Sequence, residues 1–303
     1  MSKRIKILIA DDVDTGIFDK FPKKKYEILV QPGIPNDAIP DSDCDVLVIR
    51  STRKISKEFT DRFKGKVIAT FTKGTDHIDI DACRKNKIKV LSADEGNSIS
   101  AAEHTMALML AISKNLILSD KLVRKGKFKD LDYKRSELFS KKVGVIGYGS
   151  IGKKVARMCE AFGMTVYAND TDLKVRKRNK NAVFKGLKYI LKNCDIITIH
   201  IPLENNVNFI SKEKLLLLKP DSIIINTSRG EIMDEGSLLK LLSEEKIGFA
   251  GLDVFKNEPD ISSLLFKLDN VILSNHIAGK TVESKKRIAK EVSKKIRRYF
   301  EKA

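Results

Sequence analysis

Three side chains suited to acid–base and anion chemistry each follow a short apolar run in the second half of the chain: Arg229, Glu258 and His276. An arginine guanidinium can bind a carboxylate through two parallel N–H groups, or polarise a carbonyl. An imidazole can donate or accept a proton at neutral pH, and a carboxylate beside it can orient it and favour its protonated form. If the apolar runs are strands of one parallel sheet, all three residues follow its carboxyl edge, where ligands bind in open α/β folds.

A glycine-rich segment lies upstream, between an apolar run typical of a buried strand and a segment with helical spacing. Its sequence fits the pattern GxGxxG. Gly147 permits a tight turn, Gly149 lets the backbone approach a pyrophosphate, and Gly152 lets the helix pack close to the strand. Ser150 and Ile151 begin the helix, whose N-terminus presents free N–H groups to an anion. The segment therefore predicts a dinucleotide site.

An acidic residue, Asp170, follows the next predicted strand, 23 residues after Gly147. A carboxylate at this position accepts hydrogen bonds from the adenosine ribose and repels a 2′-phosphate, which predicts NAD rather than NADP. A basic run nearby could still accommodate a phosphate, and its members are Lys174, Arg176, Lys177 and Arg178. A dinucleotide loop upstream of an arginine, a glutamate and a histidine predicts a hydride-transfer site.

Short β-branched runs alternate with longer helical patterns, which predicts an α/β fold with doubly wound parallel sheets. One unit ends near residue 98, and a second begins near residue 99. Residues 100–118 are apolar on almost every face, so we expect one buried helix, capped by Ser98 or Ser100. Residues 120–142 are polar and read as a connection. Residues 282–303 predict an amphipathic helix with a basic outer face, which could belong to either unit.

Nearly the whole chain resembles the D-isomer-specific 2-hydroxyacid dehydrogenase family. The most specific segments are GxGxxG, His200-Ile201-Pro202-Leu203, Asn226-Thr227-Ser228-Arg229-Gly230, the stretch from Asp253 to Pro259, and His276-Ile277-Ala278-Gly279. The resemblance implies two Rossmann-like or flavodoxin-like domains. A substrate-binding domain would comprise residues 1–98 plus 282–303, with the last helix returning to it, and an NAD-binding domain would comprise residues 99–281.

The resemblance also implies roles for individual residues. Arg229 would bind the substrate carboxylate and carbonyl oxygen, His276 would be the acid/base, and Glu258 would support it. Asp253 would lie near the nicotinamide carboxamide. The full set expected to bind the cofactor is Gly147, Gly149, Ser150, Ile151, Gly152, Asp170, His200, Pro202, Thr227 and Asp253.

In the first domain, the segment Lys73-Gly74-Thr75-Asp76-His77 resembles the family's substrate loop, whose backbone N–H groups would bind the carboxylate. Arg50 and Ser51 resemble the loop that contacts the rest of the substrate, and Asn97 lies at the domain crossing. Two features depart from the family. Lys73 stands where small residues are common, and residues 128–142 lack a tryptophan that many members carry.

We expect a small anionic substrate, with 3-phosphoglycerate first, because Arg50, Arg53 and Lys54 are basic side chains suited to a phosphate. Such an enzyme would be a phosphoglycerate dehydrogenase of serine biosynthesis. A glyoxylate or hydroxypyruvate reductase is the alternative. Formate dehydrogenase is disfavoured, because those relatives carry glutamine where Glu258 stands. An alternative of another class is a binding protein resembling the NAD-sensing corepressors.

The chain ends at Ala303, so we expect no serine-sensing regulatory domain. We also expect the buried helix to form a homodimer interface.

Lysine and arginine number 58 against 40 aspartates and glutamates, a formal charge of +18. The basic residues are spread along the chain and tryptophan is absent, so we expect no nucleic-acid binding.

The longest apolar runs are far shorter than a membrane span, and we see no secretory signal. The four cysteines are widely spaced, which predicts buried thiols in a reducing cytoplasm and no metal site.

Overall fold

A computed structural model of the chain describes residues 4–128 and 135–302. The chain divides into two compact units. The first takes in the chain up to Asn97 together with the segment from Lys280 onward, and the second is Ser98–Gly279. Each unit contains a parallel sheet with helices, so the predicted α/β class is confirmed. Residues 129–134 lie outside the described residues. They include part of the predicted connection over residues 120–142 and part of the tryptophan-free stretch over residues 128–142.

The first unit contains a five-stranded parallel sheet of order β2-β1-β3-β4-β5. Its strands are β1 (Ile5–Ile9), β2 (Tyr26–Val30), β3 (Val46–Ile49), β4 (Val67–Thr70) and β5 (Lys89–Leu91). The helices are α1 (Lys57–Arg62) and α2 (Ile80–Lys85), with a 3₁₀ helix over Thr15–Lys20. Strands β3 and β4 are wholly buried, as expected of a parallel sheet covered on both faces. The strand order reverses between β1 and β3, so the loops after these strands flank a crevice of the kind that binds ligands.

The second unit begins with two helices, α3 (Ser98–Ser113) and α4 (Leu116–Arg124). The strands that follow are β6 (Lys142–Ile146), β7 (Thr165–Asn169), β8 (Ile196–Ile199), β9 (Ile223–Asn226), β10 (Phe249–Leu252) and β11 (Val271–Leu273). Between them lie α5 (Ser150–Ala161), α6 (Leu173–Arg178), α7 (Leu187–Asn193), α8 (Lys212–Leu215) and α9 (Glu235–Ser243). The parallel sheet has the order β11-β10-β9-β8-β6-β7, so its direction reverses between β6 and β8.

The predicted single helix over residues 100–118 is wrong at its C-terminal end. Helix α3 stops at Ser113, and Asn115 adopts a left-handed backbone with φ of 50° before α4 begins. The predicted connection therefore starts too early, because residues 120–124 are helical. Leu116 and Ile117 are 59% and 47% exposed, so the apolar surface continues beyond the buried part of the helix.

Helix α3 itself is buried around most of its circumference, as predicted. The side chains of Leu108 and Ile112 approach Gly251 of β10, where a Cβ would lie 3.2 Å from each. Ser98 is the first residue of the helix, and Ser100 donates its hydroxyl to the carbonyl of Ala278 instead of capping the helix. This hydrogen bond of 2.6 Å attaches the start of α3 to the end of the second unit.

Helix α10 (Val282–Lys302) is the amphipathic helix that the sequence predicts. It belongs to the first unit, where Ile288, Ala289, Val292 and Ile296 pack into the core beside side chains from β1, β3 and β4. Burying four such side chains contributes several kcal/mol at about 25 cal/mol per Å² of apolar surface. Among the described helices, we find none with the length and apolarity that a membrane span requires.

Candidate active site

The glycine-rich loop follows β6 at the point where the sheet reverses direction. Gly147 has φ of +88°, and a Cβ there would lie 2.5 Å from the carbonyl oxygen of His200. A Cβ on Gly152 would lie 2.0 Å from the carbonyl oxygen of Gly147. In contrast, nothing lies within 4 Å of where a Cβ on Gly149 would be. The loop therefore requires two glycines for its own packing and leaves open space at the third.

That open space adjoins the N-terminus of α5, because Gly149 is the residue before the helix and Ser150 and Ile151 are its first two residues. Helix N-termini carry unpaired N–H groups and partial positive charge, which attract phosphates. A side chain at position 149 would fill the space through which a phosphate approaches these N–H groups. The residues present thus fit a dinucleotide pyrophosphate, with the division of roles among the glycines that the sequence predicts.

Asp170 follows β7 directly and lies beside this loop. Its carboxylate accepts hydrogen bonds from the backbone N–H of Tyr148, at 2.8 Å, and of Asp172, at 2.9 Å. The sequence did not indicate this second role, in which Asp170 fixes the glycine-rich loop. The guanidinium of Arg176, from the neighbouring basic run, lies 5.5 Å from the ring centre of Phe184, a cation–π geometry.

Glu258 and His276 form a pair of titratable side chains within hydrogen-bond distance of each other. The Nδ1 atom of His276 lies 2.7 Å from Oε2 of Glu258, and the backbone N–H of Phe255 donates to Oε1 at 3.0 Å. Burial raises the pKa of Glu258, but the hydrogen bonds from His276 and Phe255 lower it by more, so the net pKa lies below its ordinary value. An ionised carboxylate requires a donor at Nδ1, which leaves Nε2 as the nitrogen for a substrate proton.

Arg229 follows β9, and its positive charge also lowers the pKa of Glu258. One guanidinium N–H donates to the carbonyl of Ser228 at 2.7 Å. The next residue, Gly230, lies against the backbone of Phe255, and a Cβ on it would fall 2.0 Å from that carbonyl carbon. The structure therefore brings together in the second unit the three residues predicted to be catalytic.

Asp253 organises the loop that carries His276. Its carboxylate is fully buried, and it accepts hydrogen bonds from Ser274 Oγ at 2.7 Å and from the backbone N–H groups of Ile277 and Ala278 at 2.9 Å each. Burial raises the pKa of Asp253, but these bonds and His104 lower it below its ordinary value. The predicted contact between Asp253 and the nicotinamide stays a prediction, and the described contacts of this carboxylate lie within the fold.

His104, on α3, is a site residue that sequence reasoning left aside. Its Nε2 atom lies 2.8 Å from Ser274 Oγ and 3.4 Å from Asp253 Oδ1. The sequence feature that could have identified His104 is its position as a histidine within an otherwise apolar, buried helix. Through Ser274 and Asp253, His104 supports the loop in which His276 takes a left-handed backbone with φ of 54°.

The remaining residues predicted to bind the cofactor follow the neighbouring strands. His200 and Pro202 follow β8, and Nε2 of His200 lies 2.8 Å from Thr198 Oγ1. Thr227 follows β9, and its hydroxyl lies 3.0 Å from that of Thr105. All three lie at the same edge of the sheet as the glycine-rich loop, His200 and Pro202 after the strand next to β6 and Thr227 one strand further away.

The residues predicted to bind substrate lie in the first unit. Arg50 and Ser51 follow β3 at the reversal of strand order, and the backbone N–H of Arg50 donates to Asp11 at 2.7 Å. Lys73 and Gly74 follow the adjacent strand β4. The Oδ1 atom of Asn97, at the end of the unit, is buried without a hydrogen-bond partner among the described residues.

The expectation that Arg53 binds a substrate phosphate is wrong. Its guanidinium forms an ion pair with Asp11 at 2.9 Å, and both side chains are almost buried, at 10% and 13% exposure. Further N–H groups donate to the backbone carbonyls of Ala10 and Ile34. Arg53 thus connects three loops of the first unit, and of the basic cluster only Arg50 and Lys54 are left to meet a ligand.

The four cysteines are all free and buried. Burial raises the pKa of the Cys159 and Cys194 thiols to about 12, so neither is a nucleophile at neutral pH. Within the described ranges, no group of three or more histidine, cysteine or carboxylate side chains is placed to bind a metal ion.

The phosphate loop, the sheet order and the helix N-terminus together define a Rossmann-type dinucleotide-binding unit. A family model described as "D-isomer specific 2-hydroxyacid dehydrogenase, NAD binding domain" matches residues 106–278. The chain is 36% identical to a hydroxypyruvate reductase of Thermotoga maritima, over 84% of each chain. The protein therefore belongs to the D-isomer specific 2-hydroxyacid dehydrogenase family.

A D-3-phosphoglycerate dehydrogenase of Methanocaldococcus jannaschii is 34% identical over 97% of this chain, but the match spans only 57% of that relative. Among solved structures, a D-lactate dehydrogenase of Aquifex aeolicus complexed with NAD and lactic acid superposes with a TM-score of 0.84. It is 28% identical, and the match covers 98% of this chain and 95% of the other.

We expect a methyl group to have different effects at the two kinds of glycine in the loop. Gly149→Ala should leave the thermal unfolding midpoint nearly unchanged but weaken NADH binding about tenfold or more, because the methyl group fills the pyrophosphate approach. Gly147→Ala should lower the free energy of unfolding by about 1–3 kcal/mol or more, since it adds a clash to a left-handed backbone. Thermal melts and fluorescence titration with NADH measure both. Unchanged NADH affinity in Gly149→Ala would contradict the assignment.

Proposed function

We propose that this protein is an NAD-dependent dehydrogenase that interconverts a small 2-hydroxyacid and its 2-oxoacid. The observation that supports it most is the Glu258–His276 pair, with Arg229 nearby, in the same unit as a loop shaped for a pyrophosphate. When bound, NAD would accept the hydride from substrate C2, or NADH would return it.

The side chains supply the rest of the chemistry. Arg229 binds the substrate carboxylate and polarises the carbonyl oxygen. His276 donates a proton from Nε2 to that oxygen during reduction and removes it during oxidation. Glu258 orients the ring through its hydrogen bond with Nδ1. A loop that is already fixed by Asp253 lets His276 act without reorganisation.

For the substrate, we propose phosphohydroxypyruvate and 3-phosphoglycerate first. Arg50 supports this assignment, because it follows β3 at the reversal of strand order and its guanidinium has one long contact, 3.4 Å, to the carbonyl of Asp12. We further propose that Ser51, Lys73, Gly74 and Asn97 contact the substrate. Glyoxylate or hydroxypyruvate is the second candidate, and the loss of Arg53 from the basic cluster favours it.

We propose NAD over NADP, since Asp170 holds a negative charge beside the glycine-rich loop and Arg176 is engaged with Phe184. A 2′-phosphate would meet that charge. We also propose that the protein works in the reducing cytoplasm, which four free, buried cysteines suit.

A homodimer is a further part of the proposal. Helix α4 exposes Leu116 by 59%, Ile117 by 47% and Val123 by 53%. Neighbouring apolar side chains left in water favour association with a second apolar surface. The same segment continues the apolar sequence that led us to expect a dimer.

The substrate proposal is tested by NADH oxidation with phosphohydroxypyruvate, hydroxypyruvate, glyoxylate and pyruvate, and with NADPH in parallel. Arg229→Lys should lower kcat/KM for every substrate by about 10²–10³-fold, because a point charge replaces a bidentate donor at the carbonyl. Arg50→Met should raise KM for phosphohydroxypyruvate alone. Near-parental turnover in Arg229→Lys would refute the reaction, whereas an equal effect of Arg50→Met on glyoxylate would refute only the phosphate assignment.

The pair also predicts a pH dependence. The folded-state pKa of Glu258 lies below its ordinary value of 4.5, so its negative charge is present throughout the neutral range and is lost only as pH falls through the lowered pKa. In the parent, kcat/KM for reduction should fall as pH drops through the lowered pKa of Glu258, because the protonated carboxyl no longer accepts a hydrogen bond from Nδ1 of His276. Glu258→Gln has no carboxylate to titrate, so its kcat/KM should be lower at neutral pH and should lack this acid-side fall. Measurements of kcat/KM for reduction between roughly pH 3.5 and 8 test this difference. The exposed Glu283→Gln is the control, and identical profiles would count against the pairing.

The dimer is tested by sedimentation velocity. Leu116→Glu combined with Ile117→Glu should convert the protein to monomers, because two carboxylates would be desolvated in the contact. Leu173→Glu, at an equally exposed apolar position on α6, should leave the oligomeric state unchanged. A parental protein that is monomeric at micromolar concentration, or a double variant that stays dimeric, would rule out α4 as the interface.

A further inference from the structure

A groove of about 340 Å³ lies in the first unit, between the 3₁₀ helix Thr15–Lys20 and helix α10. Its apolar floor includes Ile17 and Phe21. Five basic residues line it, and they are Lys20, Lys290, Lys294, Arg297 and Arg298. One carboxylate, Glu301, accompanies them. The volume is that of a small-molecule site, and its charge is strongly positive.

The basic residues of α10 repeat at the spacing of one helix face. Lys290, Lys294 and Arg298 are each four residues apart, so their charges are neighbours and repel one another. Lys20 adds a fourth charge from the opposite wall. Within residues 4–128 and 135–302, none of these four side chains has an ion-pair partner, and Glu301 lies 3.8 Å from Arg297 only. The groove therefore concentrates uncompensated positive charge.

Two basic side chains of α10 outside the groove, Lys295 and Arg287, have structural partners. Lys295 contacts Asp94 at 2.7 Å and Glu291 at 3.3 Å, and Arg287 donates to the carbonyl of Gly96 at 3.0 Å. These contacts attach α10 to the segment before Asn97. Four cations of the groove, Lys20, Lys290, Lys294 and Arg298, have no such contact among the described residues, so they are available to an anion from outside the chain.

The floor of the groove is apolar, and half-buried Ile17 is accessible there while Phe21 packs beneath it. Phe21 is only 4% exposed, and its ring lies 4.9 Å from that of Tyr26 and 5.2 Å from that of Phe18. A purely inorganic anion would gain nothing from this surface. A ligand with a flat organic body and several negative charges would use both the floor and the walls.

We propose that this groove is a second ligand site, separate from the dinucleotide loop, and that it binds a small organic polyphosphate of the nucleoside triphosphate type. The phosphates lie among Lys290, Lys294 and Arg298, and the organic body contacts the apolar floor at Ile17. Because only two short segments line the groove, it lacks the extended basic strip that a nucleic-acid strand requires. The proposal does not depend on which 2-hydroxyacid the enzyme uses.

The test is calorimetric titration of the intact protein with ATP at about 0.15 M salt, with NADH at saturation so that the dinucleotide site is filled. Lys290→Glu combined with Lys294→Glu should weaken ATP binding roughly tenfold or more. Lys64→Glu combined with Lys85→Glu makes the same charge change at exposed positions of the first unit outside the groove. This control should bind ATP within about threefold of the parent, and thermal melts verify that both variants fold.

Tripolyphosphate separates the two features of the site. It carries at least the charge of ATP but has no organic body, so the floor predicts that ATP binds more tightly. Four outcomes overturn the proposal: no saturable ATP binding, equal losses in the two double variants, tripolyphosphate binding as tightly as ATP, or a short single-stranded oligonucleotide binding more tightly than ATP. Selective loss in the groove variant, with ATP preferred over tripolyphosphate, supports it.

Discussion

The hydrogen bonds accepted by the buried carboxylate of Asp253 are the interactions on which the candidate site of the second unit depends. It is fully removed from water, which disfavours its charge, and the structure offsets that cost with donors from Ser274, Ile277 and Ala278. Those donors belong to the loop that presents His276. The same bonds that make a buried charge tolerable therefore fix the imidazole and oppose the strain of its left-handed backbone, which costs on the order of 1–3 kcal/mol.

The glycine-rich loop is likewise held by close contacts between backbone segments. Gly147 approaches the backbone of His200 and Gly152 approaches Gly147, so the loop is compressed between β6, α5 and the segment after β8. Asp170 then accepts a hydrogen bond from the middle of the loop. Because Asp170 directly follows β7, the strand beside β6, this bond couples the conformation of the loop to the neighbouring strand.

Much of this could be derived from the sequence, because the relevant signals are local. Buried β-branched runs located the strands, and GxGxxG between a strand and a helix located the phosphate loop with its three glycine roles. The end of α3 was missed, since the break at Asn115 depends on a left-handed residue that apolar periodicity does not reveal.

Side-chain partners were harder to derive than elements. Arg53 looked like a phosphate ligand, but its partner Asp11 is 42 residues away, and only the adjacency of β1 and β3 brings them together. His104 was set aside for the same reason, since Ser274 is 170 residues distant. Spacing identifies residues that can do chemistry, whereas tertiary pairing decides which of them are already committed to the fold.

The contact between Gly230 and Phe255 has a consequence for how such a protein can change. The backbones of the loops that carry Arg229 and Glu258 touch directly, and a side chain at position 230 would separate them. Glu258 in turn accepts a hydrogen bond from Phe255, so direct contacts join the loops that carry the arginine, the glutamate and the histidine. A substitution within either loop therefore disturbs the placement of all three side chains. A change in the small molecule that this unit accepts, with the three side chains left in place, has to come from residues outside these loops.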